Sequence, residues 1–108
     1  MKATFGQYIR QLRTDKGYTL TELAALLKLD SANLSKIENG KREFDEKRLD
    51  KLASAFDIDL EKLKTEYFGD LFAKKMYQYN CSSETLLVAE EKVNYLKSIN
   101  VKQSELKF

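Results

Sequence analysis

The stretch from Thr19 to Arg42, TLTELAALLKLDSANLSKIENGKR, constrains this chain more than any other. It opens with Thr19-Leu20-Thr21-Glu22, a capping box in which the threonine hydroxyl accepts from the third helical amide and the glutamate reaches back to the threonine N–H. Leu23, Ala24 and Leu27 then share one helical face, and Ala24 is small enough to let a second helix cross closely. A second start follows at once, where Asp30 or Ser31 can cap. Leu34 and Ile37, three apart, form the buried edge of that helix and leave its other residues to look outward. Asn39-Gly40 closes it, because glycine accepts the left-handed conformation that ends helices. The prediction is two short helices across a tight turn, followed immediately by a basic loop.

The flanking sequence extends this pattern. Phe5, Tyr8, Ile9 and Leu12, spaced by three and four, read as the core face of a leading helix that Gly17 ends. Leu49, Leu52, Ala53 and Phe56 mark a fourth helix, and Ile58-Asp59-Leu60 the start of a fifth. From about Phe5 to Leu63 the chain resembles the helix-turn-helix domain of the phage repressor and Cro type, the XRE family. The residues that carry the likeness are Ile9-Arg10-Gln11-Leu12-Arg13, Thr21-Glu22-Leu23-Ala24 and Leu34-Ser35-Lys36-Ile37-Glu38-Asn39-Gly40. One position departs from the pattern. The turn residue, usually glycine in such proteins, is here Lys28, and a lysine held at positive φ costs about 1 to 2 kcal/mol. The resemblance implies an all-α, lambda-repressor-like five-helix DNA-binding domain with a C-terminal helical extension. Absence of proline, with only four glycines, agrees with helices throughout.

The resemblance also implies which residues meet DNA. The outward face at the start of the second helix of the pair, Ser31, Ala32, Ser35 and Lys36, takes the position that contacts base edges. Ser31 can donate or accept, Ala32 can meet a thymine methyl, and Lys36 can reach guanine acceptors. Asn33 turns partly inward and ranks lower. Asn39, Lys41 and Arg42 match the phosphate-contacting loop, with Arg10 and Lys28 as further cationic candidates. Backbone amides near Leu20, at a helix N-terminus, offer another phosphate site. Arg13 and Glu38 occupy positions that form a structural ion pair in such proteins. The net charge of only +2 makes local charge placement decisive and predicts weak binding by one copy, so a homodimer on double-stranded operator DNA is expected.

Beyond Leu63 the likeness fades. Leu60, Leu63, Tyr67, Leu71 and the pair Phe68 and Phe72 continue a helical apolar stripe toward Tyr79, with Gly69 a place for a bend. Asn80-Cys81-Ser82-Ser83 breaks that stripe and offers a new cap. Leu86, Ala89, Val93 and Leu96 then recur at three and four, among Glu90, Glu91, Lys92 and Lys97, which makes a packing helix. It either folds back on its own domain or pairs with the same helix of a second subunit. Pairing is favoured, because linking two modest half-sites raises effective concentration without new contacts. The expected division is a DNA-binding domain over 1–66, a dimerising extension over 67–99, and a frayed tail over 100–108.

Other functional classes fit poorly. The chain has no histidine and one cysteine, which rules out Cys/His metal sites and histidine triads, and the adjacent Glu90 and Glu91 point to different helix faces. No catalysis and no cofactor are expected. Cys81 lacks a resolving partner and reads as a bystander. No apolar run approaches the roughly 18 residues of a membrane span and no signal peptide is present, so the expected location is the cytoplasm. The reading from a different class is a protein-interaction module, with the helical domain as scaffold and the tail binding a partner such as a toxin or the transcription machinery.

Overall fold

Thr4 starts the first helix with a reciprocal cap: its hydroxyl accepts from the Gln7 amide at 3.2 Å and the Gln7 side chain accepts from the Thr4 amide at 3.0 Å. The computed structural model describes residues 4–102 and consists there of α1 (Phe5–Lys16), α2 (Leu20–Leu27), α3 (Ser31–Glu38), a single 3-10 turn (Glu46–Arg48), α4 (Leu49–Phe56), α5 (Leu60–Gln78) and α6 (Ser83–Lys102). No strand occurs among the described residues. The protein is all-α, with the five-helix arrangement expected and a helical extension after it.

Each junction has a local cause. Gly17 ends α1 at φ 82°. Thr19 and Glu22 form the expected capping box at α2, with N–H···O distances of 3.1 and 2.8 Å. Lys28 ends α2 at φ 60°, where its amide and that of Leu29 reach back to the carbonyls of Ala25 and Ala24. That double closure is a Schellman motif, and it offsets the strain of a lysine in the left-handed region. Asp30, not Ser31, caps α3, its Oδ1 accepting from the Asn33 amide at 2.7 Å. Ser31 is therefore the first helical residue.

The core of the first unit draws on every element of the five-helix domain: Phe5 and Ile9 from α1, Leu23, Ala24 and Leu27 from α2, Leu34 and Ile37 from α3, Phe44 from the following loop, Leu49, Leu52 and Ala53 from α4, and Leu63 and Tyr67 from α5. Tyr8 is half-buried and Leu12 lies at the margin. An aromatic group ties loop to helix: Phe5 lies edge-on to Tyr67 at 5.1 Å between ring centres, and the Tyr67 hydroxyl donates to the Phe44 carbonyl at 2.7 Å. This buried bond sets the path of the chain leaving α3.

The boundary expected after residue 66 lies within α5, where Tyr67 belongs to the core and Phe68 packs on it edge-on; the first compact unit runs to Phe72 and the second begins at Ala73. Gly69 does not interrupt the helix. Of the frayed tail expected over 100–108, the residues up to Lys102 belong to α6, and residues 103–108 lie outside the described residues. In the second unit, Tyr79 to Ser82 link α5 to α6, with Asn80 in the left-handed region at φ 53°. No helix among the described residues is long and apolar enough to cross a membrane.

Candidate nucleic-acid interface

Helix α3 is built to show one face. Leu34 and Ile37 are buried and Glu38 is 2% exposed, so the helix is anchored along one side. Ala32 and Lys36 are exposed on the other, and Ser31 and Ser35 are half-buried beside them. The helical period thus brings Ser31, Ala32, Ser35 and Lys36 to one outward surface. With Asp30 as the cap, the Ser31 hydroxyl is left outside the capping contacts. The carboxylate of Asp30 accepts from both the backbone and the side chain of Asn33, at 2.7 and 3.3 Å.

Anchoring comes chiefly from a buried carboxylate. Glu38 accepts from Arg13 Nε at 2.7 Å and Arg13 Nη2 at 3.0 Å, a two-pronged pair, and from Arg10 Nε at 3.3 Å. Arg13 also donates to the Tyr18 carbonyl at 3.1 Å, which draws the α1–α2 turn into the same group. Donation of these hydrogen bonds to Glu38 raises the pKa of the Arg13 guanidinium above its ordinary value, against the opposing effect of burial. Two cations thus hold α1 to the last turn of α3.

The remaining polar residues form a chain along α3. Arg10 Nη2 donates to Asn39 Oδ1 at 2.6 Å, and Asn39 Nδ2 donates to the Ser35 carbonyl at 2.9 Å. Arg42 Nη1 donates to Asn33 Oδ1 at 2.8 Å, folding the basic loop back on the helix. Lys41 is exposed beside it, its amide bonded to the Lys36 carbonyl. At α2 the capping box uses the Thr19 and Glu22 amides and leaves those of Leu20 and Thr21 outside it. Lys28 is exposed at the opposite end of α3 from Arg10 and Asn39.

Several of these links escape a reading of the sequence. Arg10, expected to meet phosphate, also shares Glu38 and holds Asn39. Asn33 is the acceptor that positions Arg42. Arg48 was not singled out at all: its guanidinium donates to the carbonyls of Leu27 and Lys28 at 3.0 and 3.4 Å and to Asp45 at 3.1 Å, clipping the start of α4 to the turn between α2 and α3. Apart from Arg48–Asp45, each link joins positions nine or more apart in sequence, where no periodicity signals it. The residues expected to dimerise are on α6, and Leu86, Val93 and Leu96 are 54, 46 and 38% exposed, with Ala89 exposed among them.

Comparison with known proteins agrees with this geometry. A family model described as helix-turn-helix matches residues 9–63, just over half of the chain. Among curated proteins, the HTH-type transcriptional repressor RghR of Bacillus subtilis (strain 168) is 34% identical over 82 residues, covering 72% of this chain and 61% of RghR. A second, the uncharacterised HTH-type regulator RghRB of the same organism, is 40% identical over 60 residues, covering 55% of this chain and 43% of that protein. The chain thus spans about two fifths to three fifths of the length of these relatives. Among solved structures, the restriction-modification controller protein C.AhdI from Aeromonas hydrophila is 41% identical with a TM-score of 0.50, over 55% of this chain and 86% of its own. SinR, a master regulator for biofilm formation solved in complex with DNA, is 33% identical with a TM-score of 0.50, over 56% of this chain and 97% of its own. The matched segment is the one that carries α3, its Arg10–Glu38–Arg13 anchor and the basic loop, and the chain belongs to the helix-turn-helix family of the XRE, phage repressor and Cro type.

Proposed function

We propose that this protein is a sequence-specific, double-stranded-DNA-binding transcriptional regulator that acts as a homodimer on operator DNA. The observation that carries the reading is the outward face of α3, where Ser31, Ala32, Ser35 and Lys36 stand together on a helix whose opposite face is locked into the core. Lys41, Arg42, Asn39 and the α2 amides near Leu20 surround that face with groups suited to phosphate. Phosphate contacts set register and base contacts set sequence, so regulation proceeds by occupancy: the bound protein covers or flanks a promoter. This use of the site matches the names of the curated relatives and the DNA-bound state of SinR. No catalytic step and no cofactor enter the reading.

The test is selection of preferred sites from a pool of random duplexes, followed by fluorescence anisotropy on the selected site and on unrelated DNA. Lys36→Ala is expected to lower affinity for the selected site by about 5- to 150-fold, the range of one good base contact, and to change unrelated DNA far less. Equal losses on both DNAs would reassign Lys36 to the backbone.

Dimerisation is proposed to use α6. Exposed Leu86, Val93 and Leu96, with Ala89 between them, give a stripe at the spacing of a helix-pairing seam. Val93→Lys together with Leu96→Lys is expected to shift sedimentation from two chains to one while leaving the helical spectrum of the first unit in place. A wild-type chain that sediments as a monomer at micromolar concentration, and gains mass only with a protein partner, would instead favour the interaction-module reading of this helix.

A further inference from the structure

Asn39-Gly40 is the one asparagine-glycine step in the sequence, and the fold sets it at the end of the helix that presents the proposed reading face. Such a step carries chemistry of its own. The Gly40 nitrogen can attack Asn39 Cγ: a C–N bond forms to close a five-membered succinimide, the Cγ–Nδ2 bond breaks, and ammonia leaves with the proton that the peptide nitrogen gives up. Water then opens the ring. Opening at Cγ leaves aspartate at position 39, and opening at the backbone carbonyl leaves isoaspartate, with the chain rerouted through the side chain. Glycine favours the attack because it has no Cβ to crowd the nitrogen. Both residues are exposed, so water reaches them. Asn33, Asn80 and Asn94 precede leucine, cysteine and tyrosine, whose side chains hinder the same step.

The folded chain holds the reacting atoms apart. Ring closure requires the bond from the Asn39 carbonyl carbon to the Gly40 nitrogen to eclipse Cα–Cβ, which brings the nitrogen to Cγ. At ψ 5° that bond eclipses Cα–N instead, about a third of a turn away. A Schellman closure fixes the peptide there, with the Gly40 amide donating to the Ile37 carbonyl at 3.1 Å and the Lys41 amide to the Lys36 carbonyl at 2.8 Å. The side chain is fixed as well: Asn39 Oδ1 accepts from Arg10 Nη2 at 2.6 Å and Nδ2 donates to the Ser35 carbonyl at 2.9 Å. Reaction therefore requires the last turn of α3 to open locally. Afterwards the turn cannot close as before. A carboxylate oxygen in place of Nδ2 sets acceptor against acceptor at the Ser35 carbonyl, and the new charge pairs with the Arg10 guanidinium.

We infer that Asn39-Gly40 is a self-modification site latched by Arg10 and the closed end of α3, and that its deamidation withdraws Arg10 from phosphate and weakens DNA binding. The chemistry and the latch stand on the geometry of α3; the effect on DNA rests on the proposed function. Arg10 acts on the reaction as a positioning residue.

The experiment ages the full chain at neutral pH, folded and in urea, beside folded Arg10→Ala and, as the control whose ring would be six-membered, Asn39→Gln. Cleavage after Lys36 and Lys41 releases peptide 37–41, in which mass spectrometry reads deamidation and an isoaspartyl methyltransferase reads the rerouted backbone. Wild type in urea is expected to react at least about 10-fold faster than folded wild type, equivalent to about 1.4 kcal/mol of opening. Folded Arg10→Ala keeps the Arg13–Glu38 pair and is expected to react about 2- to 12-fold faster than wild type, the range of one hydrogen bond. Circular dichroism checks that the variants are folded. Equal rates for wild type folded and in urea would overturn the latch, as would an Arg10→Ala rate at or below that of wild type, which would make Arg10 a stabiliser of the oxyanion. No product in urea would overturn the site itself. The consequence for DNA is read with Asn39→Asp on a mixed-sequence duplex, by anisotropy with salt varied. The slope of log affinity against log salt is expected to fall by about 0.9 per bound subunit, one phosphate contact. An unchanged slope, while Lys41→Ala lowers it, would overturn that consequence and leave the functional reading intact. A wild-type chain with no salt-dependent duplex binding would overturn the functional reading and the consequence with it, whatever the aging rates.

Discussion

Gly6→Ala is expected to lower the melting temperature by well over 10 °C or to prevent folding. A Cβ built on Gly6 lies 2.1 Å from the carbonyl oxygen of Ile37 and 3.1 Å from that of Glu38. Both are backbone atoms of α3, so no side chain can rotate away and one helix has to leave the other. The methyl group itself is small, but retreat of α1 loosens Ile9 and Phe5 from the core and lengthens the Arg13–Glu38 pair. Overpacking a core costs about 1 to 3 kcal/mol when side chains can adjust. A backbone clash exceeds that, so about 3 kcal/mol or more is expected, and each kcal/mol is worth about 4 to 8 °C in a domain of 60 to 100 residues. Gly69→Ala is the internal control. Nothing lies within 4 Å of its added Cβ in the middle of α5, so it is expected to be neutral or to raise stability by up to about 1 kcal/mol. Thermal melts of the two variants side by side check this. A Gly6→Ala protein that melts like wild type would show that α1 and α3 are not in backbone contact.

The contrast between these glycines shows what a sequence reveals about this chain. Helix starts and stops are local, and they were legible: Thr19 with Glu22, Gly17, Gly40 and even the unusual Lys28 all announce their roles within four residues. The outward face of α3 was legible too, because Leu34 and Ile37 fix the side that turns inward and the period does the rest. Gly6 is different, since its neighbour is 31 positions away and a glycine in a helix reads only as a weak spot. Separations of 20 or more positions likewise hide the bonds from Arg48 to the carbonyls of Leu27 and Lys28 and from the Tyr67 hydroxyl to the Phe44 carbonyl. The boundary expected at residue 66 follows the fading of family likeness, whereas aromatic packing carries the first compact unit on past Tyr67 and Phe68.

Glu38→Ala carries the second large effect, and its value lies in separating the anchor of α3 from its reading face. The Glu38 side chain is 1% exposed, Arg13 is 15% exposed and Arg10 is 46% exposed. Removing one partner of a buried pair costs about 3 to 5 kcal/mol because the other charge is left without compensation. Here Arg10 can turn to water and Arg13 keeps the Tyr18 carbonyl, so the low end, about 3 kcal/mol, is expected. That corresponds to a fall of about 12 to 24 °C in melting temperature. Arg13→Ala should cost more than Arg10→Ala, since it strips Glu38 of two short bonds and leaves one of 3.3 Å. In the double variant Arg13→Ala/Glu38→Ala the loss should fall well short of the sum of the single losses, because neither charge is then left buried alone. If the folded fraction of Glu38→Ala binds DNA weakly at low temperature, the carboxylate sets the angle of α3 as well as its stability. Undiminished binding by that fraction would confine Glu38 to the core. A melting temperature within about 3 °C of wild type would contradict the anchor itself, since a broken pair costing under 1 kcal/mol is a solvated one.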